Sequence, residues 1–184
     1  AAGGAGGAGL DVDEVFSTYL WTGTGSAFSV NNGIDLSGEG GLVWIKNRGP
    51  NAANHALYDT ARGVRKFLYS NATNAQDTAN SGSGLTASNS NGFNIGNGWV
   101  DENNNGQDVV SWTFRKAEKF FDIQTWSGNG TAGRTIAHNI GSAPGMILVK
   151  DLGDADNSWN VYHRAASGTP QNSHLELDNS NAVD

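Results

Sequence analysis

The sequence predicts an all-β protein: antiparallel β-sandwich modules, jelly-roll or lectin-like, in tandem, with the second copy incomplete. Three observations predict it. Apolar side chains recur with a period of two and not 3.6, which fits half-buried strands rather than amphipathic helices. Clusters of Gly, Asn and Asp separate these runs, as tight turns require. Self-similarity then divides the chain. Trp21, Gly23 and Gly25 return as Trp126, Gly128 and Gly130, 105 residues later, and the block GLVWIK at 41–46 returns as GMILVK at 145–150, 104 residues later. Tyr58 and Tyr162 keep the same register.

Taken in order, residues 1–9 (AAGGAGGAG) hold no side chain larger than a methyl and read as a flexible lead-in. Gly4, Gly6 and Gly9 match the spacing of a dinucleotide fingerprint, but no strand pattern precedes them and no helix pattern follows, so the mechanism of that motif is missing. Strands are expected at 15–22, 27–31, 42–47, 55–59, 67–70, 93–95 and 108–115. In the last of these, Val110, Trp112 and Phe114 alternate with Val109, Ser111, Thr113 and Arg115, which places the large set toward a core and the small set toward solvent. Leu42, Val43, Trp44 and Ile45 are apolar on both faces, as in a strand central to its sheet. Residues 61–66 are the one stretch expected to make a helical turn.

The first module is thus 10–119 and the second 120–184, joined near 116–119. The second reaches a strand around 175–177 and stops at Asp184, with no counterpart of the strands at 93–95 and 108–115. A half-built sandwich exposes an edge and a core face around Ile147, Val149 and Val161. We therefore expect further polypeptide or another chain to complete it, and a homo-oligomer. The start at Ala1 reads as a fragment or a processed product.

Composition narrows function. Gly, Asn, Ser and Thr make up 76 of 184 residues while Asp, Glu, Lys and Arg are 16%, so amides and hydroxyls keep the surface wet. Six Trp, seven Phe and four Tyr need a core, which argues against disorder along the whole chain. A formal charge of -7 with scattered basic residues offers nucleic acid no phosphate-neutralising face. Without cysteine there are no disulfides, thiolate metal sites or thiol nucleophiles. No apolar run has the length of a membrane helix, so no membrane insertion is expected.

The strings FSTYLWTGTG at 16–25, GLVWIKNR at 41–48, YDTARG at 58–63, NGF at 91–93 and SWTFRK at 111–116 resemble a repeated module of uncharacterised virion proteins. These occur in tailed phages of marine bacteria, cyanophages especially, and are described as tail-fibre-like. The resemblance covers nearly everything after the lead-in. It implies a virion structural or appendage protein, located in the virion, with lectin-like sandwich modules and with other virion proteins or copies of itself as partners. It carries no catalytic or binding residues.

Candidate chemistry is sparse, and no enzyme is expected. Asp101, Asn103 and Asn105, with Gly106 at the bend and Asp108 beyond, have the oxygen spacing of a calcium loop, but position twelve is Trp112 and not the bidentate Glu, so a plain hairpin loop is expected. Asp151, Asp154 and Asp156 form a second oxygen-rich loop, read as a solvated turn. No cofactor is expected. Asp59 and Arg62 are placed to pair across a turn closed by Gly63. The alternative for this region is a site for a host-surface glycan, in which Trp44 or Tyr58 stacks on a ring and Asp59 accepts from hydroxyls. His55, His138, His163 and His174 have no metal-ligand spacing. No nucleophile elbow is present, and nothing specific supports paired carboxylates, so a glycan-degrading enzyme is the weakest alternative.

Overall fold

A computed structural model describes residues 10–50, 53–97 and 102–180; the lead-in, 1–9, lies outside them. Twelve strands form three antiparallel sheets among the described residues. In the first copy these are β1 (Phe16–Thr22), β2 (Phe28–Asn31), β3 (Gly41–Asn47), β4 (His55–Asp59), β5 (Lys66–Tyr69), β6 (Asp77–Thr78), β7 (Leu85–Asn89), β8 (Gly92–Ile95) and β9 (Asp108–Arg115). A six-stranded sheet runs β1-β9-β3-β4-β5-β6, and a three-stranded sheet runs β2-β8-β7. They face each other across a core of Val30, Val43, Ile45, Tyr58, Phe67, Phe93, Ile95 and Val109, so the all-β sandwich is what the chain builds.

The expected strands recur within a residue or two. β6 and β7 were not legible: the first is two polar residues, and the second, LTASN, buries only Leu85 fully. The expected helical turn at 61–66 is a non-helical turn, its Arg62 and Gly63 amides bonded to Asp59. The helical turn is instead α1 (Val12–Val15), started by Asp11, whose carboxylate accepts the Asp13 N–H at 3.1 Å.

One expectation is reversed. β9 turns Val109, Ser111 and Thr113, each 0% exposed, into the sandwich core, and Val110, Trp112 and Phe114 onto the outer face of the six-stranded sheet. The cause lies in the cross-strand rows. Ser111 stands between Tyr19 and Ile45, and Thr113 lies beside Val43, one strand from Tyr58. Small groups on the middle strand leave room for the large ones on either side and for Phe93 opposite. The Thr113 hydroxyl also receives the Asn32 amide N–H at 2.9 Å. Outside, one row holds Thr18, Trp112, Trp44, Leu57 and Leu68, and another Phe16, Phe114, Leu42 and Asp59.

The second copy covers part of that outer face. Its sheet comprises β10 (Met146–Val149), β11 (Asn160–His163) and β12 (Leu175–Glu176) in that order, with a short 3-10 turn at Pro170–Asn172 between β11 and β12. Met146 to His163, Ile147 to Tyr162, Leu148 to Val161 and Val149 to Asn160 repeat the pairs Leu42 to Asp59, Val43 to Tyr58, Trp44 to Leu57 and Ile45 to Ala56, every residue 104 positions on. The repeat is therefore a repeat of strand register. Trp159, Leu148 and Leu177 pack on Leu42, Trp44, Leu57 and Leu68, so Leu148 docks with the face that Trp44 presents in the first copy. Of the three residues expected on an uncovered face, Val161 is 6% exposed; Ile147 remains 42% exposed.

Candidate functional site

The hairpin β3–β4 carries the three residues anticipated for a glycan site, Trp44, Tyr58 and Asp59, together with His55. Trp44 lies on the outer face, edge-on to Trp112 with ring centroids 6.0 Å apart, and donates its indole N–H to His55 Nδ1 at 3.0 Å. That bond needs a lone pair on Nδ1, hence neutral imidazole with its proton on Nε2. Burial, and then the Lys46 ammonium, lower the His55 pKa from its ordinary value and keep the ring neutral.

Tyr58 points the other way. It is 1% exposed in the sandwich core, packs on Phe67 and donates its hydroxyl to the Glu102 carboxylate. Asp59 binds the Arg62 guanidinium at 2.5 Å, with side-chain exposures of 6% and 5%. It also accepts the Arg62 N–H, while Arg62 reaches the Leu57 carbonyl at 2.9 Å. The expected ion pair is present. Alternation along β4 turns Tyr58 into the core and leaves Asp59 on the outer face that Trp44 also lines, so of the three residues anticipated for a glycan site Tyr58 does not share a surface with the other two.

The oxygen-rich loop before β9 folds inward. Asp101 lies outside the described residues, and Asn105 is exposed at the tip. Asn103 is fully buried; its Oδ1 accepts the Thr24 N–H and its amide donates to the Ser26 and Gly96 carbonyls. An oxygen committed to a backbone amide is not a free cation ligand. Asp108 accepts from the Thr22 hydroxyl at 3.1 Å. Glu102, missed as a core residue because it reads as part of an acidic loop, is 1% exposed against Tyr58. The second loop is organised around a lysine. Lys150 Nζ donates to the carbonyls of Asp151 and Asp154, both at 2.9 Å, and the Asp151 and Asp154 carboxylates accept the Gly153 and Asp156 amides. Lys46, its counterpart in the first copy, does the same work, donating to the Ala53 carbonyl at 2.5 Å. In each copy an ammonium near the end of the equivalent strand, β3 or β10, closes the loop that follows. Among the described residues, no three His, Asp or Glu side chains are grouped as metal ligands.

Away from the join, hydrogen bonds fasten the copies together. Trp159 Nε1 donates to the Tyr69 carbonyl at 2.8 Å, and the Gln76 N–H donates to the Leu152 carbonyl at 2.9 Å. At the join, Lys116 meets Asp122 at 3.1 Å. Burial on its own raises the Asp122 pKa, but hydrogen bonds from Gln124, the Asn139 N–H, Lys116 and the Ile123 N–H outweigh it and lower the value to about 2. Large apolar groups left exposed include Leu20 at 59%, Trp126 at 45%, Met146 at 53% and Ile147 at 42%. No described helix is long and apolar enough to cross a membrane.

No curated protein and no solved structure matches the chain. One family model does, over residues 11–184 and so through both copies of the repeat. The chain belongs to the family of the domain of unknown function DUF7483.

Proposed function

We propose that the chain is a non-enzymatic structural or appendage module of a virion, tail-fibre-like or surface-decorating, whose partners are other virion proteins or copies of itself. The observation that carries the reading is the docking of two repeats through equivalent faces, Leu148 of one against the face of Trp44 in the other, with the hairpin register kept at every pair. Repeats that bury surface against their neighbours form a stiff, extendable body, which suits a spacer or decoration more than a reaction centre. The outward side of β2-β8-β7 agrees, since Ser29, Asn89 and Asn94 tie their hydroxyl and amides to one another there. The resemblance to virion modules supplies the location.

Purified particles test this. An antibody raised against residues 10–180 should decorate intact virions in electron micrographs, and the chain should co-purify with them at fixed stoichiometry. Recovery solely from the soluble fraction of an infected lysate overturns the reading. A glycan array in parallel distinguishes a carbohydrate-binding module, and release of reducing ends from host polysaccharide an enzyme.

A further inference from the structure

The second copy contains two glycines that its own surroundings do not explain. In the first copy, a Cβ on Gly23 would lie 2.2 Å from the Asn104 carbonyl oxygen, and a Cβ on Gly41 would lie 2.2 Å from that of Phe114. No side chain fits either place, because the segment 102–115 runs directly against both. Their counterparts are Gly128 and Gly145. Around Gly128 nothing lies within 4 Å of the would-be Cβ, and around Gly145 only the Arg164 side chain does, at 3.6 Å. Neither has a positive φ. Both keep the clearance that a passing backbone requires, with no backbone passing among the described residues.

The edge beside them is open in the same place. β3 is paired on both sides, with β4 and, over seven residues, with β9. β10 reproduces the β4 pairing with β11, but among the described residues its other edge has no strand and no backbone hydrogen bond. The stretch 121–127, which corresponds to β1, is not a strand, and among the described residues β1 itself is held in the sheet by β9 alone. Ile147 and Met146, on this edge strand, are exposed. An open, apolar edge strand is a template for another strand.

We infer that the β10 edge is a docking site for an antiparallel strand of the β9 type: small Ser or Thr residues alternating with large apolar ones, preceded by an Asn-rich turn. The occupant is the 102–115-type segment of a further repeat. A second copy of this chain docking as it stands does not qualify, because its own β9 is enclosed between β1 and β3. Transposing the β3–β9 register sets the alignment: the residue at the Phe114 position lies opposite Met146, that at Thr113 opposite Ile147, and that at Trp112 opposite Leu148. Gly145 then takes the incoming carbonyl that Gly41 takes from Phe114.

The test adds a synthetic peptide of residues 102–116 to the full chain. Hydrogen exchange should show the edge-facing amides of Met146 and Leu148 open in the chain alone and protected with peptide, and a photo-crosslinking residue at peptide position 112 should attach at Leu148. Gly145→Ala should leave the melting temperature of the chain unchanged, since its Cβ meets only a flexible guanidinium, yet weaken peptide binding by about tenfold or more through the clash it creates. Four results overturn the proposal: no protection, crosslinking at Trp44 through exchange with the resident β9, undiminished binding to Gly145→Ala, or protection of Met146 and Leu148 without peptide that rises with protein concentration, which would assign the edge to a second copy.

Discussion

The indole of Trp159 reaches across from the second copy to the backbone of the first, its N–H on the carbonyl oxygen of Tyr69 at 2.8 Å and its ring against Leu57 and Leu68. One side chain thus supplies both apolar contact and a hydrogen bond to the joint. Its own backbone N–H is held by the Asp178 carboxylate at 2.7 Å, which sets its position from behind.

Trp159→Ala should therefore cost about 3 to 5 kcal/mol, the range for emptying a buried aromatic site. The loss should be local: hydrogen exchange should rise across β10, β11 and β12 while β3 and β9 stay protected. Trp159→Phe keeps most of the packing and should lose about 1 kcal/mol for the missing hydrogen bond. Equal deprotection of both copies would show that the first does not stand by itself.

The reversed face of β9 sets an order of side-chain costs. Phe93, 0% exposed between the sheets, should cost about 3 to 5 kcal/mol as Phe93→Ala, and Trp112→Ala, on the partly covered outer face, should cost less despite the larger ring. Denaturant midpoints of the two variants read the order directly.

Stability should fall as pH drops below about 6.5, the ordinary value of His. His55 has its folded pKa below that value, so the unfolded chain takes up the proton first and acid favours unfolding through this group. Protonation also removes the Nδ1 acceptor of the Trp44 N–H. His55→Gln should flatten this part of the pH–stability profile, and Trp fluorescence melts between pH 7 and pH 5 measure it.

Asp122 acts in a lower window. Its folded pKa of about 2 lies below the ordinary 3.8, so its stabilisation is complete above pH 4 and disappears as pH falls toward 2. Asp122→Asn should loosen the join at neutral pH, and limited proteolysis near residues 116–124 should increase. A wild-type join equally resistant at pH 2 and pH 5 would contradict the assignment.

What the sequence by itself determined is local or periodic. Period-two patterning located most strands of the sandwich within a residue or two, and the offset between Gly41 and Gly145 anticipated a hairpin repeated in register. The Asp59–Arg62 pair was readable because its partners are three residues apart. The tertiary structure decided what alternation leaves open. Period two separates Val109, Ser111 and Thr113 from Val110, Trp112 and Phe114, but it does not say which set faces inward. That choice depends on Tyr19, Ile45 and Phe93 filling the space around small side chains, and on Trp159 arriving from a distant part of the chain to cover large ones. The same non-locality hid Glu102, whose partner Tyr58 is 44 residues away, and it placed Trp44 and Tyr58, neighbours in the β3–β4 hairpin, on opposite sides of one sheet.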